Sequence, residues 1–474
     1  MKYQETMDDL LALLNGSVGV ADDKAEINDI EILRKNIHQL AEVSALETGT
    51  RQGMARYLTR LVALAAGIYP APIHDLYMAR GRGDVPPDFT VPAMNLRALS
   101  FDAGRAVFRA ARRMDAGAFI LEISRSEIGY TDQRPSEYAA SVLAAAIAEG
   151  YQGPVFIQGD HFQVSAKRYQ SDPDKELQAV REITVEAIKA GFFNIDVDSS
   201  TLVDLSKASI SEQQALNSEL TAMYTTFIRA HEPEGVTISI GGEIGEVGGE
   251  NSTEPELRAF MDAYRAALQK AAPGAPGLSK ISIQTGTSHG GVVLPDGSIK
   301  EVSVDFDTLY HLSRVAKLDY GLAGAVQHGA STLPEYAFGR FTACEACEVH
   351  LATNFQNMLF DRLPEDLKAE IYSYLSKNLA EERKAGMTDE QFYYKSRKRS
   401  IGAFKSKLCG LGTDLRDQIG EMWEDQFHTL FGLLEIDGTR KFVDEFIRPA
   451  FVQPRLGDYL AEEAAGEEVK DLAD

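Results

Sequence analysis

Apolar residues recur at two different spacings along the chain, and the change from one to the other divides the chain into three parts. Apolar positions three and four residues apart in DDLLALL, IEILRKNIHQLAEV and MARYLTRLVALAAGI predict a helical extension over residues 1–85. Prolines and glycines cluster towards its end, in YPAPIHD and GRGDVPPDF, which predicts a break. A second helical extension is predicted over residues 413–474, and we expect its acidic tail, AEEAAGEEVKDLAD, to be frayed.

Short apolar runs alternate with longer helical patterns between these two extensions. Helical spacing appears in PSEYAASVLAAAIAEG and DKELQAVREITVEAIKAG, which separate such runs. Eight strands alternating with helices predict an α/β fold, a (β/α)8 TIM barrel over residues 86–412 with additional helices at both termini. An open doubly wound sheet is the competing architecture, but no G-x-G-x-x-G sequence follows the first strand. The predicted strands are residues 91–95, 118–124, 154–160, 192–198, 236–242, 280–286, 321–327 and 347–353.

Composition and charge narrow the classes of function. The chain has 474 residues, of which 44% are hydrophobic and 25% charged, as in ordinary globular proteins. Its formal net charge of -23 argues against general binding to nucleic acid or to anionic membranes. The N-terminus is acidic and amphipathic, unlike a signal peptide, and no apolar run approaches membrane-spanning length. With three cysteines, the sequence predicts a cytoplasmic protein in a reducing compartment.

Three histidines lie at corresponding places, where predicted strands run out into small residues. His161 follows the third strand, His289 the sixth and His328 the seventh. Chemistry in such barrels gathers at the C-terminal ends of the strands, and three neutral imidazoles with one open position form a good catalytic zinc site. A single strand-end histidine more often only satisfies a loop hydrogen bond. Three in matching positions favour a metal site.

Two acids accompany these histidines. Asp160 directly precedes His161, and neighbours in an extended segment point to opposite sides. A twist in the loop is therefore needed before both can face one cavity, with Asp160 as general acid or base. Glu243 lies between small residues at the end of the fifth strand. It either belongs to the same site or forms a buried salt bridge or a helix cap.

The segments around these residues resemble a known family. VPAMN, FILEISRSEIGY, GDH, GGEIGEVGG, GTSHGG, VDFDTL and HGAS are similar, in this order, to segments of the class II, metal-dependent fructose-bisphosphate aldolases and their tagatose-bisphosphate relatives. The resemblance covers residues 90 to 360, and more weakly extends to 412. It implies a zinc-dependent carbon–carbon lyase that cleaves or forms a phosphorylated ketose. The reaction would pass through a metal-stabilised enediolate.

The resemblance also implies roles for individual residues. His161, His289 and His328 would hold the catalytic zinc. Asp160 would act as acid and base at the aldehyde oxygen, and Glu243 would be a secondary metal ligand or would orient a ligand. A second divalent or a monovalent cation is possible near the end of the fourth strand, where helix capping by Asp196 and Asp198 is equally plausible. Asn95 would contact the substrate, and its phosphate would be cradled by Ser124, Gly290, Gly329, Ser331 and Thr353.

The sequence departs from the family pattern in two places. After GGEIGEVGG the chain moves almost at once into a helical pattern, so the loop that carries the proton-abstracting glutamate is shortened. Glu250 is the acid nearest the right place, and a catalytic role for it is about as plausible as a solvated loop carboxylate. On the eighth strand, His350 replaces an asparagine that contacts the reacting part of the substrate. His350 would donate a hydrogen bond to an enediolate oxygen or add a fourth metal ligand.

These departures leave alternatives to an aldolase. One keeps the metal site but performs isomerase or epimerase chemistry, which forms an enediolate without releasing an aldehyde. The other is a non-catalytic subunit for sugar-phosphate binding or assembly, although Asp160 beside three zinc histidines argues against it. The expected partner is a phosphorylated sugar substrate, and apolar stripes on the terminal helices suggest a homo-oligomer.

Overall fold

Eight parallel strands form a closed barrel in the computed structural model, which describes residues 2–245, 250–286, 292–294, 299–300 and 303–460. Each barrel strand pairs with its two neighbours in sequence order, and the eighth pairs with the first. The predicted (β/α)8 barrel is therefore confirmed. The barrel strands 1 to 8 are Val91–Asn95, Ile120–Ser124, Gly153–Gln163, Asn194–Asp198, Ser239–Glu243, Lys280–Ile283, Ala325–Gln327 and Glu348–Leu351.

Helices surround the barrel and extend it at both ends. Several begin at side-chain caps, as where Ser209 and Thr253 bond the first turn of the helices that follow strands 4 and 5. The barrel helices are Ser100–Arg113, Arg125–Tyr130, Pro135–Ala148, Ala166–Ser171, Pro173–Ala190, Ile210–His231, Glu254–Ala271, Phe306–Tyr320, Gly339–Ala343 and Thr353–Arg362. The N-terminal helices are Lys2–Leu13, Ile30–Asn36, His38–Leu46, Thr50–Ala65 and His74–Arg82. The C-terminal helices are Glu365–Asn378, Asp389–Ser396, Lys405–Cys409, Thr413–Leu433, Arg440–Phe446 and Leu456–Leu460.

The sequence predicted a purely helical N-terminal extension, and this is wrong because the extension also contains strands. Val18–Ala21 and Lys24–Ile27 form an antiparallel hairpin, and Asp22 and Asp23 make its turn with φ values of 50° and 56°. Such left-handed turns suit the twist of a hairpin, and strands of four residues are too short to interrupt a helical pattern visibly. A further strand, Ile68–Pro70, pairs in parallel with the start of strand 3. The acidic tail lies outside the described residues.

Both terminal extensions pack against the barrel and against each other. Tyr459, from the last described helix, lies with its ring centroid 5.9 Å from that of Tyr57 in the N-terminal extension. The indole of Trp423 is buried and donates to the carbonyl of Phe355, which follows strand 8. The two extensions therefore cover the barrel's side from opposite ends of the chain. No helix in the described part of the chain is long and apolar enough to cross a membrane.

Stability should fall in mild acid because His74 is buried at the start of the helix His74–Arg82. Burial, and after it the charge of Arg229, lowers the pKa of His74 to about 4. Above pH 6.5 the imidazole is neutral in both states. Below that pH the unfolded chain gains a proton that the folded chain resists, so stability falls between pH 6.5 and 4 by about 3 kcal/mol. Urea midpoints of His74→Gln should depend less on pH than those of the parent and of the exposed control His231→Gln. Equal pH dependence in all three proteins would contradict this assignment.

Candidate active site

The C-terminal ends of strands 3, 5 and 7 bring three of the predicted metal ligands together. His161 Nε2 lies 3.0 Å from His328 Nδ1, and His161 Nδ1 lies 3.3 Å from Glu243 Oε2. On the same side, His161 Nδ1 lies 2.9 Å from Asp198 Oδ2. All four side chains are buried. His289 falls outside the described residues, so its place in the ligand set stays a prediction.

A local irregularity in strand 3 lets two consecutive residues reach one cavity. The register between strands 3 and 4 shifts between Gly159 and Phe162, and His161 has a φ of +38°. This is the twist that the sequence required before Asp160 and His161 could both face the site. A side chain at position 159 is excluded, because its Cβ would lie 2.5 Å from the ring of Phe162. Left-handed backbone in a histidine is strained and is typical of functional sites.

The donor atoms around His161 are suited to a divalent metal. One candidate group consists of Asp160, His161 and His328, and a second of His161, Asp198 and Glu243; within each group the ligand atoms lie within 4.8 Å of one another. Glu243 Oε1 is buried without a hydrogen-bond partner in the described structure, although its other oxygen faces His161. Imidazole and carboxylate are ordinary zinc ligands. The residues present therefore fit the metal that the sequence implies.

Asp160 lies between the metal ligands and a polar network below them. Its Oδ2 accepts a hydrogen bond of 3.0 Å from Asn95 Nδ2, and its Oδ1 lies 3.1 Å from His350 Nδ1. Asn95 also donates to Glu127, which is paired with Arg97. These contacts fix the orientation of Asp160 from two sides. The network brings together Asp160, Asn95 and His350, three residues that the sequence assigned to catalysis and substrate binding.

His350 replaces an amide with an imidazole whose two nitrogens both face carboxylates. Nδ1 lies 3.1 Å from Glu122 Oε1 as well as from Asp160, and Nε2 lies 2.6 Å from Glu348 Oε1. Nε2 is also 3.7 Å from Asp196 Oδ2. Both nitrogens can donate only in the charged imidazolium. His350 is thus placed to be a fixed cation in the floor of the site.

A layer of charged side chains fills the barrel beneath His350, and the sequence analysis missed it. One residue comes from each even-numbered strand, as in the interior layers of such barrels. Its members are Glu122, Asp196, Lys280 and Glu348. Each of them stands two residues before a residue nearer the mouth of the barrel. The sequence feature that they share is a charged residue at an inward-facing position of an otherwise apolar strand.

Lys280 holds this layer together. Its ammonium donates to Gln158 Oε1 at 2.8 Å and to Asp196 Oδ2 at 2.9 Å, and it pairs with Glu348, which also accepts from Tyr77. Lys280 and Glu348 are fully buried. Burial lowers the pKa of Lys280, but Asp196 and Glu348 outweigh it and raise the pKa above its ordinary value. The ammonium therefore stays charged inside the barrel.

Replacing Lys280 with methionine should destabilise the protein by about 3–5 kcal/mol, because it leaves two buried carboxylates without their cation. The measurement is the urea midpoint of the variant against the parent. Lys207→Met is the matched control, since Lys207 pairs with Asp204 on the surface and should contribute little. Equal midpoints for Lys280→Met and the parent would show that the layer does not depend on this charge.

The electrostatics of the site follow from a surplus of acids. Six buried carboxylates converge on it, against Lys280 and three imidazoles: Glu122, Asp160, Asp196, Asp198, Glu243 and Glu348. Burial and Asp198 raise the pKa of Glu243 well above its ordinary range. Burial opposes charge on His161, but Asp160 and Glu243 outweigh it and raise its pKa to about 10. A bound divalent cation would replace the protons that this surplus attracts.

The predicted phosphate-binding residues are only partly brought together. Gly329 has a φ of +69°, Ser331 Oγ accepts from the amide of Ala352 at 2.7 Å, and Thr353 begins the helix Thr353–Arg362. These three lie where strands 7 and 8 end. Ser124 caps the short helix Arg125–Tyr130 and is fully buried, so its hydroxyl already accepts from Glu127 N. Its contact with a phosphate stays a prediction.

The remaining predicted residues lie in loops. Gly290 falls outside the described residues, as do residues 246–249 of the shortened loop. Glu250 follows that gap and is exposed. A role for Glu250 as the proton-abstracting base therefore also stays a prediction.

The fold is a (β/α)8 barrel with candidate metal ligands and a buried acid at its C-terminal end, and a comparison with known families shows which family it belongs to. The model of the family described as "Fructose-bisphosphate aldolase class-II" matches residues 87–407. The chain therefore belongs to the class II fructose-bisphosphate aldolase family. This confirms the resemblance that the strand-end motifs indicated.

The chain is also similar to several solved structures. The chain is similar to a probable tagatose 6 phosphate kinase from Sinorhizobium meliloti 1021, with 16% identity, coverage of 74% of this chain and 98% of that chain, and a TM-score of 0.50. It is also similar to the YdjI aldolase from Escherichia coli K12, with 12% identity, coverage of 78% and 99%, and a TM-score of 0.45. A third similar structure is fructose-bisphosphate aldolase from Campylobacter jejuni, with 17% identity, coverage of 78% of this chain and 97% of that chain, and a TM-score of 0.45. At these identities the likeness concerns the fold alone. No curated protein matches the chain.

Proposed function

We propose that this protein is a zinc-dependent aldolase that cleaves or forms a phosphorylated ketose. Membership of the aldolase family gives the class of enzyme, and one structural observation supports the metal-dependent reaction. The twist at His161 puts the carboxylate of Asp160 and the imidazoles of His161 and His328 into one buried cavity. A protein that only bound sugar phosphates would have no need of an acid at this position.

The zinc would be held by His161, His328 and His289, with Glu243 close enough to bind or to orient a ligand. When bound, zinc would supply Lewis-acid chemistry, which lowers the energy of negative charge that develops on the oxygens of a ketose. Asp198 faces His161 Nδ1 at 2.9 Å, as an orienting carboxylate beside a metal-binding histidine does. The surplus of buried carboxylates also favours a second cation in the same site.

The residues of the chain divide the remaining work. Asp160 would take the proton of the substrate hydroxyl in the cleavage direction and return it to the aldehyde oxygen in the direction of synthesis. Asn95 holds Asp160 through a hydrogen bond of 3.0 Å and presents its amide to the same cavity. His350 would place a positive charge beside the substrate, with Glu122 and Glu348 holding its ring. Gly329, Ser331 and Thr353 would receive the phosphate.

A panel of ketose mono- and bisphosphates tests the proposal and separates it from isomerase chemistry. Released aldehyde and the exchange of the substrate's carbon-bound proton with solvent should both be followed, with and without a chelator. An aldolase gives chelator-sensitive aldehyde release from at least one ketose. Proton exchange without aldehyde would instead support the isomerase or epimerase. Binding of sugar phosphate with neither reaction would support the non-catalytic subunit.

A further inference from the structure

Two connected cavities lie between the terminal extensions and the barrel, on the outside of the barrel wall. The outer cavity has a volume of about 570 Å³ and the inner one of about 80 Å³. Both are lined by His38 from the N-terminal extension, Phe101 from the first barrel helix and Arg416 from the C-terminal extension. The cavities therefore exist because this chain carries both extensions.

The outer cavity has a cationic lining in a strongly acidic protein. Arg34, Lys35, Arg105, Arg112 and Arg416 face four acids there, namely Glu31, Asp102, Glu149 and Asp417. The balance is positive before any charge on His38, whereas the whole chain has a net charge of -23. Lys35 is exposed, and the pair between Arg416 and Asp102 is long at 3.7 Å. Arg34 pairs with Glu31 at 2.7 Å and Arg105 with Glu149 at 2.5 Å, so an anion entering this cavity would meet mainly the charges of Lys35, Arg112 and Arg416.

Two guanidinium groups at this cavity have hydrogen-bonding capacity to spare. Within the described residues, the Nε atoms of Arg34 and Arg416 are buried and have no hydrogen-bond partner. Because these two atoms expose almost no surface to the cavity, an anion would reach them only after the side chains rotate. Phosphate oxygens are the acceptors that guanidinium groups match best. These two residues come from opposite ends of the chain, so an anion between them would join the two extensions.

The inner cavity has a different lining. Ala41, Ala98, Leu99, Ile401 and Leu408 contribute apolar surface to it. Phe101 lies in both cavities, with the guanidinium of Arg105 5.8 Å from its ring centroid. A ligand that fits both cavities has an anionic end and an apolar or planar body. This is the chemistry of a small organic phosphate.

A chain of buried contacts connects the inner cavity to the active site. Arg97 lines the cavity, and its Nε donates to Glu127 Oε1 at 2.5 Å. Glu127 Oε2 accepts from Asn95 at 2.8 Å, and the same amide of Asn95 donates to Asp160. Every member of this chain is buried. A ligand that shifts Arg97 would therefore act on the orientation of Asp160.

We propose that the two cavities form an effector site for a small organic phosphate, bound between Arg34 and Arg416 and connected through Arg97 to the active site. The binding is independent of the proposed aldolase reaction, whereas the effect on turnover rests on it. The site is separate from the phosphate-binding residues at the ends of strands 7 and 8.

Titration calorimetry with inorganic pyrophosphate tests the anionic part of the site. The full-length parent should bind pyrophosphate here, and Arg34→Gln/Arg416→Gln should weaken this binding by about tenfold or more. Arg82→Gln is the matched control, because Arg82 pairs with Asp84 on the surface. Ser331→Ala removes a hydroxyl of the active site and should leave binding at the effector site unchanged. Unaltered binding in the double variant, or its loss in Ser331→Ala alone, would overturn the proposal.

A second variant tests the same site in case the double variant does not fold. Lys35→Glu reverses one exposed charge of the outer cavity and should also weaken pyrophosphate binding, by a few-fold. Equal affinity in this folded variant and the parent would overturn the site. Pyrophosphate should change the retro-aldol rate of the parent but not of Arg34→Gln/Arg416→Gln. An inactive parent that still binds pyrophosphate would contradict the aldolase proposal and leave the effector site standing.

Discussion

Replacing Asp160 with asparagine should lower retro-aldol turnover by about 10²–10⁴-fold while the fold and the bound metal are kept. The amide has the same shape as the carboxylate and keeps one acceptor, which can take the hydrogen bond from Asn95 or from His350 but not both, so the fold should be kept. It cannot accept the proton of the substrate hydroxyl. Burial raises the pKa of Asp160, but His161 and His350 outweigh it and hold the pKa well below its ordinary range. Initial rates on the best substrate of the ketose panel, with metal content measured in parallel, give the result.

The matched control for this substitution is Asp204→Asn, in an exposed loop where Asp204 accepts from Ser206. It should leave turnover unchanged. A turnover close to that of the parent in Asp160→Asn would remove Asp160 from the mechanism. Loss of metal together with loss of turnover would instead give Asp160 the role of a metal ligand, in the group that it forms with His161 and His328.

Replacing His161 with alanine should abolish metal binding as well as turnover. His161 belongs to both groups that can hold a metal around it, one with Asp160 and His328 and the other with Asp198 and Glu243. Since changes to residues that only orient a ligand reduce metal affinity by about 10–100-fold, loss of a ligand itself should exceed that range. Zinc affinity by competition with a chelating dye is the measurement. The same result is expected for His289→Ala, which the sequence motif places in the ligand set.

The control for this change is His311→Ala, since His311 is exposed and pairs with Glu254 on the surface. It should keep the metal and the turnover. Zinc bound at full affinity by His161→Ala would contradict the assignment. The barrel should remain folded in the variant, because the change removes polar contacts and the ring contact with His328 within the site and leaves the hydrophobic core intact.

The barrel could be predicted from the sequence because each of its strands has two recognisable features. Each is a short apolar run, and each is followed by small or polar residues where the strand reaches the mouth of the barrel. The ends of the strands were predicted to within a few residues for the same reason, as in strand 4, Asn194–Asp198. The hairpin of Val18–Ala21 and Lys24–Ile27 was not predicted, because strands of four residues are too short for alternation to be distinguished from helical spacing.

Parts of the candidate site that depend on neighbours in sequence could be predicted. Parts that depend on which strands face one another in the barrel could not. Asp160 and His161 are adjacent in sequence, so a twist between them could be foreseen. The layer of Glu122, Lys280 and Glu348 could not, because a single charged residue inside an apolar strand is ambiguous until its partners are known. Only the closure of the barrel puts these residues within hydrogen-bond distance, and that closure gives His350 its two carboxylate partners.

A zinc titration of the metal-free protein tests most directly whether ketose cleavage depends on zinc. The protein is stripped with a chelator, zinc is added back in steps, and aldehyde release from the best ketose phosphate is measured at each step. We expect no cleavage by the stripped protein, and a rate of aldehyde release that rises to a plateau at about one zinc per chain. Undiminished cleavage without metal, or no cleavage of any ketose phosphate at any zinc concentration, would contradict it.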